Sequence, residues 1–467
     1  MNNKALAHDL QNNPYAGSCE GSLYMKHYDL FVIGSGSGAA RAAFICRRAG
    51  FRVGIAEKAA IGGIGAAAFS SPQKRFTAAS DAVNLFQSMI GCGLKGSVSV
   101  DWEHLKGVGA ESVSSNLEED LRGAGIEIFH GKCSFADKNI LNINGEQVFS
   151  RFILIATGAA PAKLSFAGSE YLTPSREFMN LESLPSSIVF VGGGYISFEL
   201  AHIAARAGAK AVIVEALPRV LRGFDDDLAR LLVRESAALG IDVITGAPVR
   251  FLEKYSNGLR MQAGTHKFVV SLAVHGAGRV PDIDELCLEA GEISTNEQGI
   301  AVNCYLQSVS NPAVYVAGDV NALGMQLKPV AEMESAAAAA NMLLGNHEMP
   351  EYNVVARALL TAPQLCAVGM GEREAAIENI PFDVHFFNNF STQGGGSCME
   401  RSQFAFKIIS EKGTGRILGV HILGQDAAET INAAALAIKG GCTIKNLKNT
   451  ALVFPSQLYD IMNIVNY

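Results

Sequence analysis

Three observations predict an α/β chain with two parallel-sheet units built alike and a smaller C-terminal α+β module. The apolar run Asp29–Ile33 leads into Gly34-Ser35-Gly36-Ser37-Gly38-Ala39 and a helix rich in small residues. A second copy of that strand–turn–helix begins 158 residues later, counting from Gly34 to Gly192. Beyond Pro350 the texture changes to short strands and another small-residue helix. The 467 residues are enough for about three domains of ~150 residues each.

Each element has a local reason. Asp29–Ile33 is continuously apolar and bounded by glycine, as a buried parallel strand should be. A helix is expected over Ala39–Gly50, and Arg52–Glu57 returns as a strand ending in an acid. In the second copy Ser187–Val191 is the strand and Gly192–Ser197 the turn. Phe198–Gly208 is its helix and Ala211–Glu215 the returning strand. A third landmark, Ala313–Asp319, is a strand ending in Gly-Asp, followed by a helix over Pro329–Leu344. Phe404–Ile409 and Ile417–Ile422 read as antiparallel strands, and Ala427–Lys439 as a helix. The resulting division is a flexible extension (1–24), a first nucleotide unit in two parts (25–165 and 285–350), a second unit (166–284), and the C-terminal module (351–467).

Composition excludes several classes. Lys+Arg 38 against Asp+Glu 45 gives −7, so nothing electrostatic favours nucleic acid or an anionic membrane. No apolar run approaches the ~20 residues of a membrane span. Met1 to Ser22 lacks the apolar core of a signal peptide, and Met25 is the natural-looking start. Nine cysteines without CxxC pairs or metal-type spacing read as buried, reduced thiols of a cytoplasmic protein, and no metal site is expected.

The glycine loops carry the chemistry. Gly34, Gly36 and Ala39 have the spacing of a Rossmann-type dinucleotide loop. The first glycine permits the turn and the second admits the pyrophosphate. The small third residue lets helix pack on strand. Glu57, about 20 residues on, is placed to accept a ribose hydroxyl. Gly192, Gly194 and Ser197 repeat the logic with Glu215 as the acid. A carboxylate there binds a free ribose diol and repels a 2′-phosphate, which favours NAD(H) over NADP(H). Arg219 and Arg222 leave the phosphate open, unless they belong to a solvated loop face.

With those residues in view, the chain resembles the pyridine nucleotide–disulfide oxidoreductases, such as dihydrolipoamide dehydrogenase, glutathione reductase and mercuric reductase. The likeness runs from Met25 to Tyr467. Its marks are Ile155-Ala156-Thr157-Gly158, Gly193-Gly194-Tyr195-Ile196 with Glu199, and Gly278-Arg279-Val280-Pro281. They continue with Ala317-Gly318-Asp319, Leu327-Lys328-Pro329-Val330-Ala331 and Gly415-Arg416-Ile417-Leu418-Gly419. The resemblance implies two Rossmann-like domains, for FAD and NAD, plus a dimerisation domain and a homodimer. It places FAD against the Gly34–Ala39 loop including Gly38, with Glu57, Lys58, Gly62, Gly63 and Cys133 around it. Ala156, Thr157, Gly158, Gly318 and Asp319 lie along it, and Leu327, Lys328, Pro329 and Ala331 at the flavin edge. It places NAD(H) against Gly192, Gly194, Tyr195, Ile196, Glu215, Ala216, Arg222, Val249, Gly278 and Arg279. Tyr195 is similar to the aromatic that covers the flavin, although a core tyrosine is the alternative. Glu199 is similar to the family's flavin-side glutamate, with Lys74 its expected partner and Gln73 at the position some relatives use.

Two departures bear on function. The turn Gly62-Gly63 and Pro72 fix a register that puts Gly65 and Ser70 where the family has two redox cysteines. Phe454 and Tyr459 stand where the family has its histidine and glutamate. Without a thiol pair or its acid–base partner, disulfide chemistry is not expected. Hydride passage between nicotinamide and flavin needs neither. The expectation is an FAD-dependent NAD(P)H oxidoreductase acting on a quinone-like or other small electron acceptor. Gly65, Phe69, Ser70, Phe454 and Tyr459 would form an apolar acceptor pocket, though Phe454 also reads as a plug in a disused cavity. The alternatives are a transhydrogenase or NADH oxidase, and a degenerate flavoprotein that binds or regulates.

Overall fold

The computed structural model describes residues 25–63, 70–107, 113–389 and 404–465; the expected extension over 1–24 lies outside them. The first sheet runs Glu127–His130, Val53–Glu57, Lys26–Ile33, Glu146–Ile155, all parallel, and Val314–Val316 pairs in parallel with the last of these. The Ala313–Asp319 landmark is thus a strand of the first sheet, although far from it in sequence. An antiparallel arm, Cys133–Asp137 and Ile140–Ile143, extends this sheet from Glu146–Ile155.

The second sheet is also parallel: Asp242–Ile244, Lys210–Val214, Ser187–Val191, Leu272–His275 and Thr173–Pro174. A meander, Val249–Tyr255, Gly258–Ala263 and His266–Val270, is antiparallel and buries Leu252, Met261 and Val270 against Val189, Val191 and Ala273. The C-terminal sheet is antiparallel in the order Arg357–Leu359, Gln364–Gly369, Ile417–Gly424, Ala405–Glu411, Phe382–Asn388.

Six helices matter for the site: α1 (Ser37–Arg48), α2 (Ser70–Met89), α3 (Tyr195–Arg206), α4 (Asp226–Ala238), α5 (Lys328–Leu344) and α6 (Ala427–Lys439). Gly36 and Gly194 are the extended N-caps of α1 and α3. Each of these helices stops just before a left-handed glycine, Gly50 at φ +99° and Gly208 at φ +96°, which only glycine adopts without steric cost. The helices begin earlier than the sequence suggests because the loops' last residues already carry helical hydrogen bonds. The alanines of α1 (Ala39, Ala42, Ala43) meet Ala337, Ala338 and Ala339 of α5, so the backbones approach closely. The amide of Ala42 donates to Ser335 Oγ at 2.9 Å across that contact.

An aromatic chain ties α2 to the second sheet. Phe76 lies 4.3 Å from Trp102, Trp102 lies 5.7 Å from Phe178, and Phe178 lies 5.7 Å from Phe190, measured between ring centroids. Each of the buried phenylalanines is worth on the order of 2–3 kcal/mol in apolar burial. The two nucleotide units are therefore packed on one another through a continuous core.

Among the described residues, no helix is long and apolar enough to cross a membrane. Cys46, Cys133 and Cys366 are buried thiols whose burial pushes them up to about 12, which leaves them protonated and inert. The expectation of buried, reduced thiols is corrected at three positions: Cys92 is disulfide-bonded, and Cys287 and Cys304 are exposed.

Candidate functional site

Two clefts open at the carboxyl ends of the two parallel sheets, where glycine loops and helix N-termini converge. At the first, Gly34 turns at φ +100° with its amide donating to Ala56 O at 2.8 Å. A Cβ on Gly34 would lie 2.4 Å from Ala156 O, so the Ile155–Gly158 strand end requires glycine opposite it. Gly36 has nothing within 4 Å of its missing Cβ; that open space faces the cleft, as a pyrophosphate requires. Gly63 closes the other side, with an added Cβ only 3.0 Å from Gly36 Cα. Gly62 donates its amide to Ser35 Oγ at 2.8 Å.

Glu57 ends its strand at the mouth of this cleft. Its Oε2 accepts from the Ser35 amide at 3.0 Å and from Ser35 Oγ at 2.7 Å, while Oε1 accepts from the Ala59 amide at 2.9 Å. Lys58 ion-pairs with Asp282 and Glu285, and Lys132 with Glu285 at 2.5 Å, so acids beyond the second sheet fix this rim. Cys133, Ala156, Thr157, Gly158, Gly318, Asp319, Lys328 and Ala331 all line the first cleft. Thr157 Oγ1 is buried without a hydrogen-bond partner, an orphaned polar group beside the space a cofactor would fill.

The far end of the cleft is set by α5. Pro329 enters its first turn, and Leu327 is the extended N-cap. Gly318 is held from behind, its amide donating to Glu334 Oε2 at 2.6 Å while Tyr352 Oη donates to Glu334 Oε1 at 2.8 Å. Burial raises the Asp319 carboxyl, and nearby Arg279 opposes that rise.

The second cleft repeats the plan. The Gly192 amide donates to Val214 O at 2.8 Å, and a Cβ on Gly192 would lie 2.4 Å from Gly276 O. The fully buried Ser197 packs on Gly276, where a Cβ would lie only 2.0 Å from Ser197 Oγ, which is why the third loop position is small. Glu215 Oε2 accepts from the Gly193 amide at 2.6 Å and Oε1 from the Leu217 amide at 2.8 Å. Arg219 is engaged with Asp226, whereas Arg222 is exposed at the rim. Gly194, Ala216, Val249 and Gly278 complete the expected lining.

Tyr195, Ile196, Arg279 and Gln326 line both clefts, so the two spaces meet there. Tyr195 is 41% exposed, which fits a side chain over an opening better than a core tyrosine. An Arg279 guanidinium nitrogen donates to Ala159 O. Sequence reasoning missed Ser35 and Gln326, which line the first cleft without a signature residue type. Ala39, the third residue of the first loop, is fully buried behind the cleft and acts through packing.

The expected Lys74–Glu199 pair is not formed. Lys74 is exposed on α2, and Glu199 is 4% exposed with Oε1 accepting from the Leu360 amide at 2.8 Å. The buried face of α2 is set by Phe76, Thr77, Ser80 and Val83, and Lys74 falls about 200° round the helix from Phe76. Gly65 and Phe69 lie outside the described residues, as does the side chain of Ser70, which begins α2. Phe454 is 71% exposed and packs edge-on to half-buried Tyr459, with ring centroids 5.0 Å apart.

Among the described residues, one set of carboxylates is close enough to hold a metal: Asp225, Asp227 and Glu372. The Lys407 ammonium sits among them at 2.9, 2.6 and 2.5 Å.

The comparisons agree with this architecture. Residues 28–340 match the model of the pyridine nucleotide-disulphide oxidoreductases, and 355–460 match that family's dimerisation domain. A glutathione reductase of Burkholderia cepacia is 32% identical, covering 94% of this chain and 98% of its own. A dihydrolipoyl dehydrogenase of Thermus scotoductus is 30% identical, covering 92% and 95%. The HOCl-induced flavoprotein disulfide reductase RclA of Escherichia coli has a similar fold, with TM-score 0.83 at 22% identity over 94% of this chain and 99% of that one. Matched over both its nucleotide-binding and its dimerisation segments, the chain belongs to the pyridine nucleotide-disulphide oxidoreductase family, whose members are FAD-dependent oxidoreductases.

Proposed function

We propose that the protein is an FAD-dependent NAD(P)H oxidoreductase that prefers NADH and passes electrons to a small, flat acceptor such as a quinone, not to a disulfide. The observation that carries this reading is the meeting of the two clefts at Tyr195, Ile196, Arg279 and Gln326, in a chain with Gly65 and Ser70 at the family's cysteine positions. Bound FAD supplies the capacity to take a hydride and release electrons. The rest falls to the chain.

Glu57 and Ser35 would bind the adenosine ribose, and Gly36 would let the pyrophosphate reach the backbone amides of α1. The α5 N-terminus would favour negative charge at the flavin edge, with Lys328 adding a cation and Asp319 receiving the ribityl hydroxyls. Glu215 supports the NADH preference, because both its oxygens are already oriented by backbone amides and it would repel a 2′-phosphate. Tyr195 would cover the passage between the clefts and move aside for nicotinamide. Glu199 would face the flavin from α3.

The dimerisation segment supports a homodimer. In that assembly the exposed Phe454 and its neighbour Tyr459 would form an aromatic wall of the acceptor pocket, together with Gly65, Phe69 and Ser70. No thiol is offered there, and a flat apolar acceptor suits such a slot.

Anaerobic mixing of the purified protein with NADH tests the reading directly. The expected result is rapid bleaching of the flavin absorbance without a long-wavelength thiolate charge-transfer band, followed by reoxidation on adding a quinone. Reoxidation by oxygen or a nicotinamide alone would assign an oxidase or transhydrogenase. Flavin that stays oxidised with both NADH and NADPH would leave a binding protein.

A further inference from the structure

We propose that Arg206 is a positioning residue for Glu199, acting through the backbone segment from Leu359 to Pro363. The proposal rests on the reading above that Glu199 faces the flavin. Both residues lie on α3, seven apart, which is two turns along one face and about 10.5 Å along the axis. Both reach the same short segment of the C-terminal module. Glu199 Oε1 accepts from the Leu360 amide at 2.8 Å, and Arg206 Nη2 donates to Ala362 O at 2.6 Å. Thr361, between them, is buried and donates its hydroxyl to Pro363 O at 2.6 Å. Helix and segment are thus joined at two rungs, one holding the carboxylate and the other holding the segment that holds it.

Arg206 is itself anchored through both terminal nitrogens, while its buried Nε makes no hydrogen bond. Nη2 also donates to Asn84 Oδ1 on α2 at 2.9 Å, and Nη1 donates to His202 Nδ1 at 3.2 Å. An arginine can only donate, so Nδ1 accepts and the imidazole proton sits on Nε2, which lies 2.9 Å from Ser236 Oγ. Ser236 in turn donates to Leu232 O on α4 at 2.9 Å. Burial, reinforced by the Arg206 charge, holds His202 down at about 3, so this chain of donors does not break when the pH falls to 5. Burial lowers Arg206 only to about 10, which keeps it cationic.

One guanidinium therefore fixes the segment relative to three elements: α2, which begins beside the acceptor pocket, α3, which carries Tyr195 and Glu199, and α4 behind them. A glutamate has three rotatable side-chain bonds. Its direction is set by what holds its oxygens, and the Leu360 amide is one of those partners. Removing Arg206 leaves Ala362 O, Asn84 Oδ1 and His202 Nδ1 without this donor, and the segment is then free to shift the Leu360 amide.

The test combines R206M, R206K and E199A in a double-mutant cycle, with two readouts in the FAD-loaded protein. The first is the rate of flavin reduction by NADH under anaerobic rapid mixing. E199A is expected to slow it about 10-fold or more and R206M about fivefold, with R206M adding less than about twofold in the E199A background. R206K keeps the charge but not the forked geometry, and is expected to fall between wild type and R206M. The second is hydrogen exchange in the peptide containing Leu360, expected to be faster in E199A and in R206M.

Additive rate effects, or Leu360 exchange in R206M and R206K as slow as in wild type, would overturn the proposal. An E199A protein that reduces its flavin at the wild-type rate would sink the assignment of Glu199 instead. The exchange readout would still decide whether Arg206 fixes the segment.

Discussion

Glu57 and Glu215 are the same carboxylate used twice. Glu57 ends the second strand of its unit and Glu215 directly follows the second strand of its own, and each turns one oxygen to an amide of the preceding glycine loop, Ser35 at 3.0 Å and Gly193 at 2.6 Å. Each turns the other to the amide two residues on, Ala59 at 2.9 Å and Leu217 at 2.8 Å. The copies differ at one point. Ser35 adds a hydroxyl that donates to Glu57 and accepts from Gly62, whereas a Cβ at Gly193 would lie 2.6 Å from Val220 Cγ1. The first copy is stitched by that hydroxyl to the Gly62 turn; the second has no side chain at Gly193 to do the same.

The proposed preference for NADH rests on the second copy. On that reading Glu215→Ala removes a charge-assisted acceptor for the ribose diol, a loss of about 1.5–3 kcal/mol, or roughly 10- to 150-fold in NADH affinity. NADPH should bind better to the variant than to wild type, because the repulsion is gone and exposed Arg222 remains at the rim. Transient-state titration of flavin reduction with both nucleotides checks this. Equal loss for both would mean that Glu215 serves only to shape the Gly193 and Leu217 turns.

The glycine loops were legible because their requirements are local: Gly34 and Gly192 need positive φ, and Ser197 needs to be small, whatever the rest of the chain does. The sheets followed from the apolar runs. The antiparallel arm at Cys133–Ile143 and the meander at Val249–Val270 escaped because apolar and polar residue types do not alternate along their strands, as in Ile140-Leu141-Asn142-Ile143 and Val249-Arg250-Phe251-Leu252. Lys74 misled because residue type and nearness to Pro72 suggested the flavin side. The phase of α2 is set by Phe76 and Val83 packing, which sequence spacing alone leaves open. Leu360 was invisible for a different reason. It contributes a backbone amide, and any residue except proline supplies one.

Lys407 makes the clearest stability prediction. Its side chain is 2% exposed inside a strand, and its ammonium joins Asp225 and Asp227 at the start of α4 to Glu372 of the C-terminal module. Lys407→Met would leave three carboxylates facing one another and cost about 3 kcal/mol near neutral pH. The Asp227 carboxyl is held below its usual range, first by its hydrogen bond to Lys407. A depressed carboxylate stabilises the fold above its unfolded-state titration and loses that contribution as the pH falls through its folded one. The gap between wild type and variant should therefore narrow in acid. Urea unfolding at pH 7 and at pH 3, below the ordinary Asp value of 3.8, measures it, and an equal gap at both would assign the loss to packing of the lysine stem.

Asp81 predicts the opposite slope. Burial pushes its carboxyl up from 3.8 to about 6, with Asp426 adding to the rise and Arg206 opposing it. The folded state then binds the extra proton between about pH 4 and pH 6, and stability falls as the pH rises through that window. Asp81→Asn mimics the protonated form. Its melting temperature should match wild type near pH 4.5 and exceed it near pH 7.5. A variant less stable than wild type at pH 7.5 would show that the Asp81–Arg206 attraction outweighs the desolvation of the carboxylate.

The last prediction concerns the chemistry that the family's other members are named for. Restoring cysteines by Gly65→Cys with Ser70→Cys should not produce lipoamide or glutathione disulfide turnover. A thiolate pair needs an acid–base partner near neutral pH, and the family position for it carries Phe454, which neither accepts nor donates a proton. The double variant should still reduce its flavin with NADH and still pass electrons to a quinone, since the proposed hydride transfer draws on the joined clefts alone. Adding Phe454→His and Tyr459→Glu supplies the missing pair at the positions where the family has it. If the double variant turned over disulfides without those two changes, the role assigned to Phe454 would be wrong. If only the quadruple variant did, the loss of disulfide chemistry would be traced to both halves of the site together.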